Sequence, residues 1–233
     1  MIYNNADDKT TKITLYQKEN LVFNDAVNRV ASVIKSKRLK ENLNTFIITG
    51  CAPKVGSTTV AINLAIALAK SGMKVVLIDS DMRKRKKHLN EKTKCGLSNY
   101  LSHTASIEQI LYQTDHANLN YIASGITSMD SANLIHSNSL NELLKQVSAN
   151  HDIILFDSPS LSAAADAEIL SAKISAVILV AEFDSTSTDQ VKSVKRELDK
   201  SGVNIIGVIL NKVTKKEYKK HLNDYDYINK YYK

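Results

Sequence analysis

Glycine and proline are scarce, with 7 Gly and 2 Pro in 233 residues, where average usage would give about 16 and 12. That shortage excludes collagen-like and low-complexity chains and argues against a turn-rich all-β domain. It favours long regular elements joined by short loops. Tryptophan is absent, and only two cysteines occur, Cys51 and Cys95. Two are too few for a disulfide framework, no Cys/His spacing suggests zinc, and the scattered histidines (His88, His103, His116, His136, His151, His221) do not read as metal ligands. A reduced, cytoplasmic setting is the expectation. Long apolar runs are missing too. The opening MIYNNADDKTTK is polar and does not read as a signal peptide. The longest strongly apolar stretch, Ala61 to Ala69 broken by Asn63, is far too short to span a bilayer.

What is present is an ordinary globular composition, 43% apolar and 24% charged, with an uneven charge. The net +7 sits in blocks: residues 83–94 hold 7 basic groups against 1 acidic, residues 95–211 hold 6 against 13, and residues 212–233 hold 7 against 3. Such blocks are most often solvated surface and only sometimes a site for an anionic partner. The run RKRKKH at 83–88 is the exception worth weighing, because of where it falls.

Apolar spacing at Val22, Phe23, Ala26, Val27, Val30, Val33 and Ile34 predicts a helix over 22–40. Short apolar runs then alternate with helical patterns: TFIIT at 45–49, KVVLID at 74–79, LNYIA at 119–123, DIILFD at 152–157, AVILVA at 176–181 and VNIIGVIL at 203–210. Helices are expected near 57–71, 138–148, 161–173 and 187–201. Strands that read as continuous Val/Ile/Leu are expected to be buried on both faces. Their alternation with helices predicts an α/β fold, a doubly wound and mainly parallel sheet flanked by helices. The chain divides into a polar leader (1–20), one domain (21–212) and a basic, tyrosine-rich tail (213–233).

Three segments end strands on the same expected edge, where ligands of such sheets bind. Gly50-Cys51-Ala52-Pro53-Lys54-Val55-Gly56-Ser57-Thr58-Thr59 lies between a strand and a helix, the position of a phosphate-binding loop. Its pattern matches G-x-x-x-x-G-K-[ST] except that Ser57 stands where lysine is expected, while Thr58 keeps the hydroxyl that serves Mg²⁺. VVLIDSDMRKRKK places Asp79 and Asp81 at a strand end, either on opposite sides or with the chain turning between them, as a magnesium or general-base pair. DIILFDSPS ends a hydrophobic strand in Asp157, in the manner of a Walker B carboxylate.

On these residues the chain resembles the bacterial tyrosine kinases of capsule and exopolysaccharide synthesis, the CapB/CpsD/Wzc type, within the MinD/ParA-like P-loop ATPases. IITGCAPKVGSTTVAINLAIALAKSGMKVVLIDSDMRK follows the family's Walker A, helix and Walker A′ pattern. DIILFDSPS-LSAAADA follows its Walker B and a further aspartate, Asp166. IIGVILNK at 205–212 matches a late strand ending in Asn211, and the tail carries Tyr218, Tyr225, Tyr227, Tyr231 and Tyr232, five of the ten tyrosines. The resemblance implies ATP and Mg²⁺ as cofactors, a nucleotide site of Pro53, Lys54, Val55, Gly56, Ser57, Thr58, Thr59 and Asn211, magnesium held through Thr58, Asp81 and Asp157, Asp79 as general base and the tail tyrosines as phosphoacceptors. It further implies a transmembrane chain-length or activator protein as partner, which would recruit a cytoplasmic kinase to the inner face of the membrane. A homo-oligomer or an active paralogue is a further implied partner, and no nucleic acid is expected.

The departures shape the expected activity. Ser57 removes the Walker A lysine, Ala52 stands where MinD/ParA loops carry a second lysine, and Lys54 occupies a position that is usually glycine. The oligomerisation motif E-x-x-R-x-x-R aligns with Asp25 to Ala31 and has lost both arginines, to Asn28 and Ala31. No proline follows Ser124-Gly125. Two readings therefore stand: a tyrosine autokinase acting in polysaccharide synthesis, and a catalytically impaired regulatory module of the same system. A MinD/ParA-like positioning ATPase is a third, weakened by the absent second lysine and the polar tail.

Overall fold

The computed structural model describes residues 13–15, 21–83, 93, 95–128, 130–161, 165–214 and 217. The tail tyrosines, residues 84–88 of the basic run and most of the polar leader lie outside the described residues.

Helix α1 (Leu21–Glu41) leads into strand β1 (Thr45–Gly50), helix α2 (Ser57–Lys70) and strand β2 (Val75–Asp79). Short helices α3 (Leu97–Leu101) and α4 (Ile107–Ile110) precede strands β3 (Leu111–Gln113) and β4 (Leu119–Ile122). Helices α5 (Ser131–His136) and α6 (Asn138–Ser148), strand β5 (Ile153–Asp157), helix α7 (Ala165–Ser171), strand β6 (Ala176–Glu182), helix α8 (Thr188–Lys200) and strand β7 (Ile205–Asn211) follow. The seven strands form one sheet in the order β3-β4-β2-β5-β1-β6-β7. Every pairing is parallel except β3 with β4.

The alternation of side chains splits the core into two layers. Phe46, Ile48, Val75, Leu77, Ile153, Leu155, Ile178 and Val180 face α1 and α2. Ile47, Val76, Ile78, Ile154, Phe156, Val177 and Leu179 face the other side, where α6 supplies Leu140, Leu143 and Val147 and α8 supplies Val194 and Leu198. Each fully buried aliphatic side chain is worth about 1.5–3 kcal/mol of transfer free energy, so the central strands fix register strongly: a one-residue slip would exchange the two layers. Helix α8 begins with a reciprocal cap. The Ser187 hydroxyl accepts from Gln190 N–H at 3.2 Å, and the Gln190 side-chain oxygen accepts from Ser187 N–H at 2.9 Å.

The doubly wound parallel sheet predicted from the sequence is therefore present. Two differences have physical causes. The segment 203–210 was expected to be buried on both faces; instead β7 is an edge strand, and Val208 and Leu210 are 49% and 54% exposed. Val208 and Leu210 share a face with Leu179 and Ala181, and on that side α8 buries only Val194 and Leu198. The elements α3, α4, α5 and β3 carry no periodic signal in the sequence because each is six residues or shorter, too short to show a period.

Candidate functional site

The carboxyl ends of β1, β2 and β5 lie side by side, since β5 pairs with both neighbours. Beyond β1 the chain turns sharply into α2. A Cβ on Gly50 would lie 2.7 Å from the Ala52 carbonyl oxygen and 2.8 Å from Val55 Cγ2, so the loop folds back tightly onto the strand end. Cys51 N–H donates to the Val180 carbonyl at 2.8 Å, anchoring the loop to β6. Burial pushes the Cys51 thiol pKa up, so it is a small space-filling group in a tight loop.

Two residues of the loop take left-handed backbone conformations, Lys54 at φ 65° and Gly56 at φ 91°. Gly56 is the N-cap of α2 and caps it with no side chain. The first turn therefore points unblocked N–H groups and the positive end of the helix dipole outward, which suits a phosphate. Asn211 closes over this turn from the end of β7. A Cβ on Gly56 would lie 2.4 Å from Asn211 Nδ2, which itself donates to the Val55 carbonyl at 2.8 Å. Beside it, Lys212 Nζ donates to the Lys54 carbonyl at 2.8 Å and to a Glu182 carboxylate oxygen at 2.9 Å. Pro53, Lys54 and Thr59 are exposed, Gly56, Ser57, Thr58 and Asn211 half-buried, and Val55 buried. All of the nucleotide-site residues inferred from the sequence thus sit on one cradle.

The acidic residues meet the cradle from below. Asp79 and Asp157 are partners across the β2–β5 pair and continue the layer that faces α2. Both are buried, at 1% and 4% exposure. The Thr58 hydroxyl donates to Asp157 Oδ1 at 3.2 Å, joining the first turn of α2 to the end of β5. Asp81 N–H donates to Asp79 Oδ1 at 3.1 Å. Of the two arrangements open in the sequence, the chain therefore turns between the aspartates, leaving Asp79 in the sheet and Asp81 half-buried in the loop beyond. A hydroxyl and carboxylates are the hard oxygen donors that Mg²⁺ takes, usually with several waters retained. Thr58 with Asp157 fits such an ion, and the built cradle fits a polyphosphate. The misfit is one of charge, because Ser57 brings no cation to the first turn.

Sequence reasoning missed three contributors. Lys212 and Glu182 brace the loop from β7 and β6, and their role depends on strand order, which no local pattern reveals. The third is Tyr121 on β4. It pairs with Leu77, two residues from Asp79 on the adjacent strand, and burial followed by the charges of Asp79 and then Asp157 holds its phenol pKa well above the ordinary range. One position implied to be an interface also changes character: Ala31, aligned with the second arginine of the oligomerisation motif, is buried against α2.

A doubly wound sheet with a phosphate cradle at the end of β1 and a carboxylate at the end of β5 defines a P-loop nucleotide-binding domain. The family model of AAA domains matches residues 46–205, and the chain belongs to that family. The chain is 32% identical over 222 residues to a Klebsiella pneumoniae protein provisionally named as a tyrosine-protein kinase of a cps region, covering 94% of this chain and 31% of that one. It is similar in structure to the kinase domain of the Escherichia coli tyrosine kinase ETK, with a TM-score of 0.78 and 27% identity over 82% of this chain and 76% of that chain. MinD of Pyrococcus horikoshii, solved with Mg-ADP, shares the fold at a TM-score of 0.61 and 24% identity, covering 75% of this chain and 73% of that chain. The chain spans 24–31% of the length of the first curated relatives it matches. Among the described residues no helix is long and apolar enough to cross a membrane.

Proposed function

We propose that this domain binds Mg-ATP and belongs to a tyrosine autokinase system of capsular or exopolysaccharide synthesis, in which the γ-phosphoryl group passes to the C-terminal tyrosines. The observation that carries the reading is the contact of Thr58 with Asp157 beneath the left-handed turn at Gly56, with Asp79 alongside on β2. Magnesium, when bound, would offset charge on the phosphates and orient them. The chain's own residues divide the remaining work. The loop amides and the first turn of α2 receive the β- and γ-phosphates, Asn211 shields the turn, and Thr58, Asp81 and Asp157 hold the metal's shell. Asp79 accepts the tyrosine hydroxyl proton as the phenolic oxygen bonds to the γ-phosphorus and the bond to the β-phosphate oxygen breaks, releasing ADP. Acceptors are Tyr218, Tyr225, Tyr227, Tyr231 and Tyr232. A transmembrane chain-length or activator protein is the partner that would bring the domain to the inner membrane face, with a further copy of the chain or an active paralogue supplying or receiving the tail.

Ser57 favours a second reading, a nucleotide-binding regulator that transfers phosphate poorly or not at all. Loss of one charged or hydrogen-bonding group that stabilises a transition state costs about 10²–10³ in rate. Lys54 is the nearest substitute in sequence, but it spends its backbone on a left-handed turn and its side chain is exposed. The deciding experiment is incubation with Mg-ATP followed by intact-mass measurement of the wild type, Ser57→Lys and Asp79→Asn. An autokinase gains phosphate as wild type and loses that gain in Asp79→Asn. A silenced kinase gains it only in Ser57→Lys. Absence of ATP binding by calorimetry, with no phosphate on any variant, refutes both readings.

A further inference from the structure

Tyr121, on the strand next to the β3 edge of the sheet, is among the largest fully buried side chains. Its ring packs in the layer between the sheet and α2, with Leu77 and Leu119. Packing alone asks for a leucine or phenylalanine there. A phenol adds a hydroxyl that is costly to bury without a partner, and among the described residues that hydroxyl has no hydrogen-bond partner. Burial first, and then the nearby charges of Asp79 and Asp157, hold the phenol pKa well above its ordinary range, so the hydroxyl keeps its proton to donate. The register explains why. Tyr121 stands opposite Leu77, so Asp79 is its diagonal neighbour on the same face of the sheet, within reach of an aromatic side chain.

We propose that Tyr121 is a positioning residue for Asp79, its hydroxyl donating to the carboxylate from inside the sheet while Asp81 N–H holds Oδ1 from the loop. Two donors on different elements restrict the carboxylate to one rotamer and aim it out of the strand end toward the cradle. Contacts that orient a catalytic carboxylate commonly close to hydrogen-bonding distance only when the site fills. The inference deepens the assignment of Asp79 as base and rests on that reading for its catalytic meaning. The contact itself does not depend on it.

The test is a double-mutant cycle on the folding equilibrium of the full chain, with Tyr121→Phe, Asp79→Ala and the pair measured by denaturant unfolding. Removing a truly unsatisfied hydroxyl would stabilise the protein. If the hydroxyl serves Asp79, Tyr121→Phe instead raises the unfolding equilibrium constant by roughly fivefold or more, and this effect shrinks below about twofold in the Asp79→Ala background. Equal effects in both backgrounds, or stabilisation in both, overturn the proposal. At fixed neutral pH the Asp79 carboxyl carbon resonance shifts in Tyr121→Phe; an unmoved resonance also overturns it. Where transfer is measurable, kcat falls about tenfold at unchanged KM for ATP, and an unchanged kcat shows that the hydroxyl does not position the base. A wild type without transfer removes the kinase reading, while the cycle and the resonance still decide the contact.

Discussion

Replacing Gly56 by alanine separates backbone strain from contact with Asn211, because the molecule provides its own control. Gly56 and Gly72 have almost the same left-handed backbone, φ 91° and 88°. A Cβ on Gly72 meets nothing within 4 Å, whereas one on Gly56 lies 2.4 Å from Asn211 Nδ2. The strain common to both is about 1–2 kcal/mol, partly offset by the roughly 0.4–1 kcal/mol gained when alanine restricts the unfolded chain. At Gly56 the amide of Asn211 must also move, which breaks its hydrogen bond to the carbonyl of buried Val55. A buried carbonyl left without its donor costs about 1–3 kcal/mol. Gly56→Ala should therefore be less stable than Gly72→Ala by about 1–3 kcal/mol, read as a thermal midpoint roughly 2 to 12 °C lower for a domain of this size. Fluorescent ATP-analogue binding should drop in Gly56→Ala and hold in Gly72→Ala. Matching midpoints for the two variants would refute the reasoning, since only Gly56 faces Asn211.

Thr58→Ala should weaken Mg-nucleotide binding by at least about tenfold, with a smaller loss when calorimetry is repeated in EDTA; equal losses would remove Thr58 from the metal's shell. Lys54→Gly relieves a left-handed lysine and should raise the thermal midpoint, by about 2–4 °C per kcal/mol gained. If the ammonium serves as the loop's cation, nucleotide affinity falls in the same variant, and an unchanged affinity denies it that role. The raised pKa of Cys51 leaves less thiolate at any given pH than an ordinary thiol has. In the native protein it should therefore be alkylated by iodoacetamide far more slowly than in denaturant across pH 7–9, as peptide mass mapping would show; equal rates would contradict its burial.

The layers of the sheet were legible because the central strands are apolar on both faces and their helices are long enough to show a period. The phosphate loop was legible because a left-handed N-cap and a helix opening on small hydroxyl residues leave a fixed spacing from Gly50 to Thr58. The turn between Asp79 and Asp81 was undecided in the sequence, since alternation and a turn predict the same residue types. It is settled by one hydrogen bond from the Asp81 amide to Asp79. Lys212 and Glu182 could not be read at all: they are 30 residues apart, and only the β6–β7 pairing brings them to the back of Lys54.

The same pairing bears on the missing lysine. A cation at position 57 would sit inside the cradle, but Lys212, the one lysine among the described residues seen to touch the loop's backbone, is occupied outside it, shared between Glu182 and the Lys54 carbonyl. An exposed pair of this kind is worth at most about 1 kcal/mol, so a phosphate could compete for Lys212 only by releasing the brace on the strained turn at Lys54. Stability of the loop and a supply of positive charge to the phosphates thus draw on the same ammonium group. The exposed ammonium of Lys54 is under no such constraint, and for that reason it, not Lys212, is the group among the described residues whose removal should separate nucleotide affinity from fold stability.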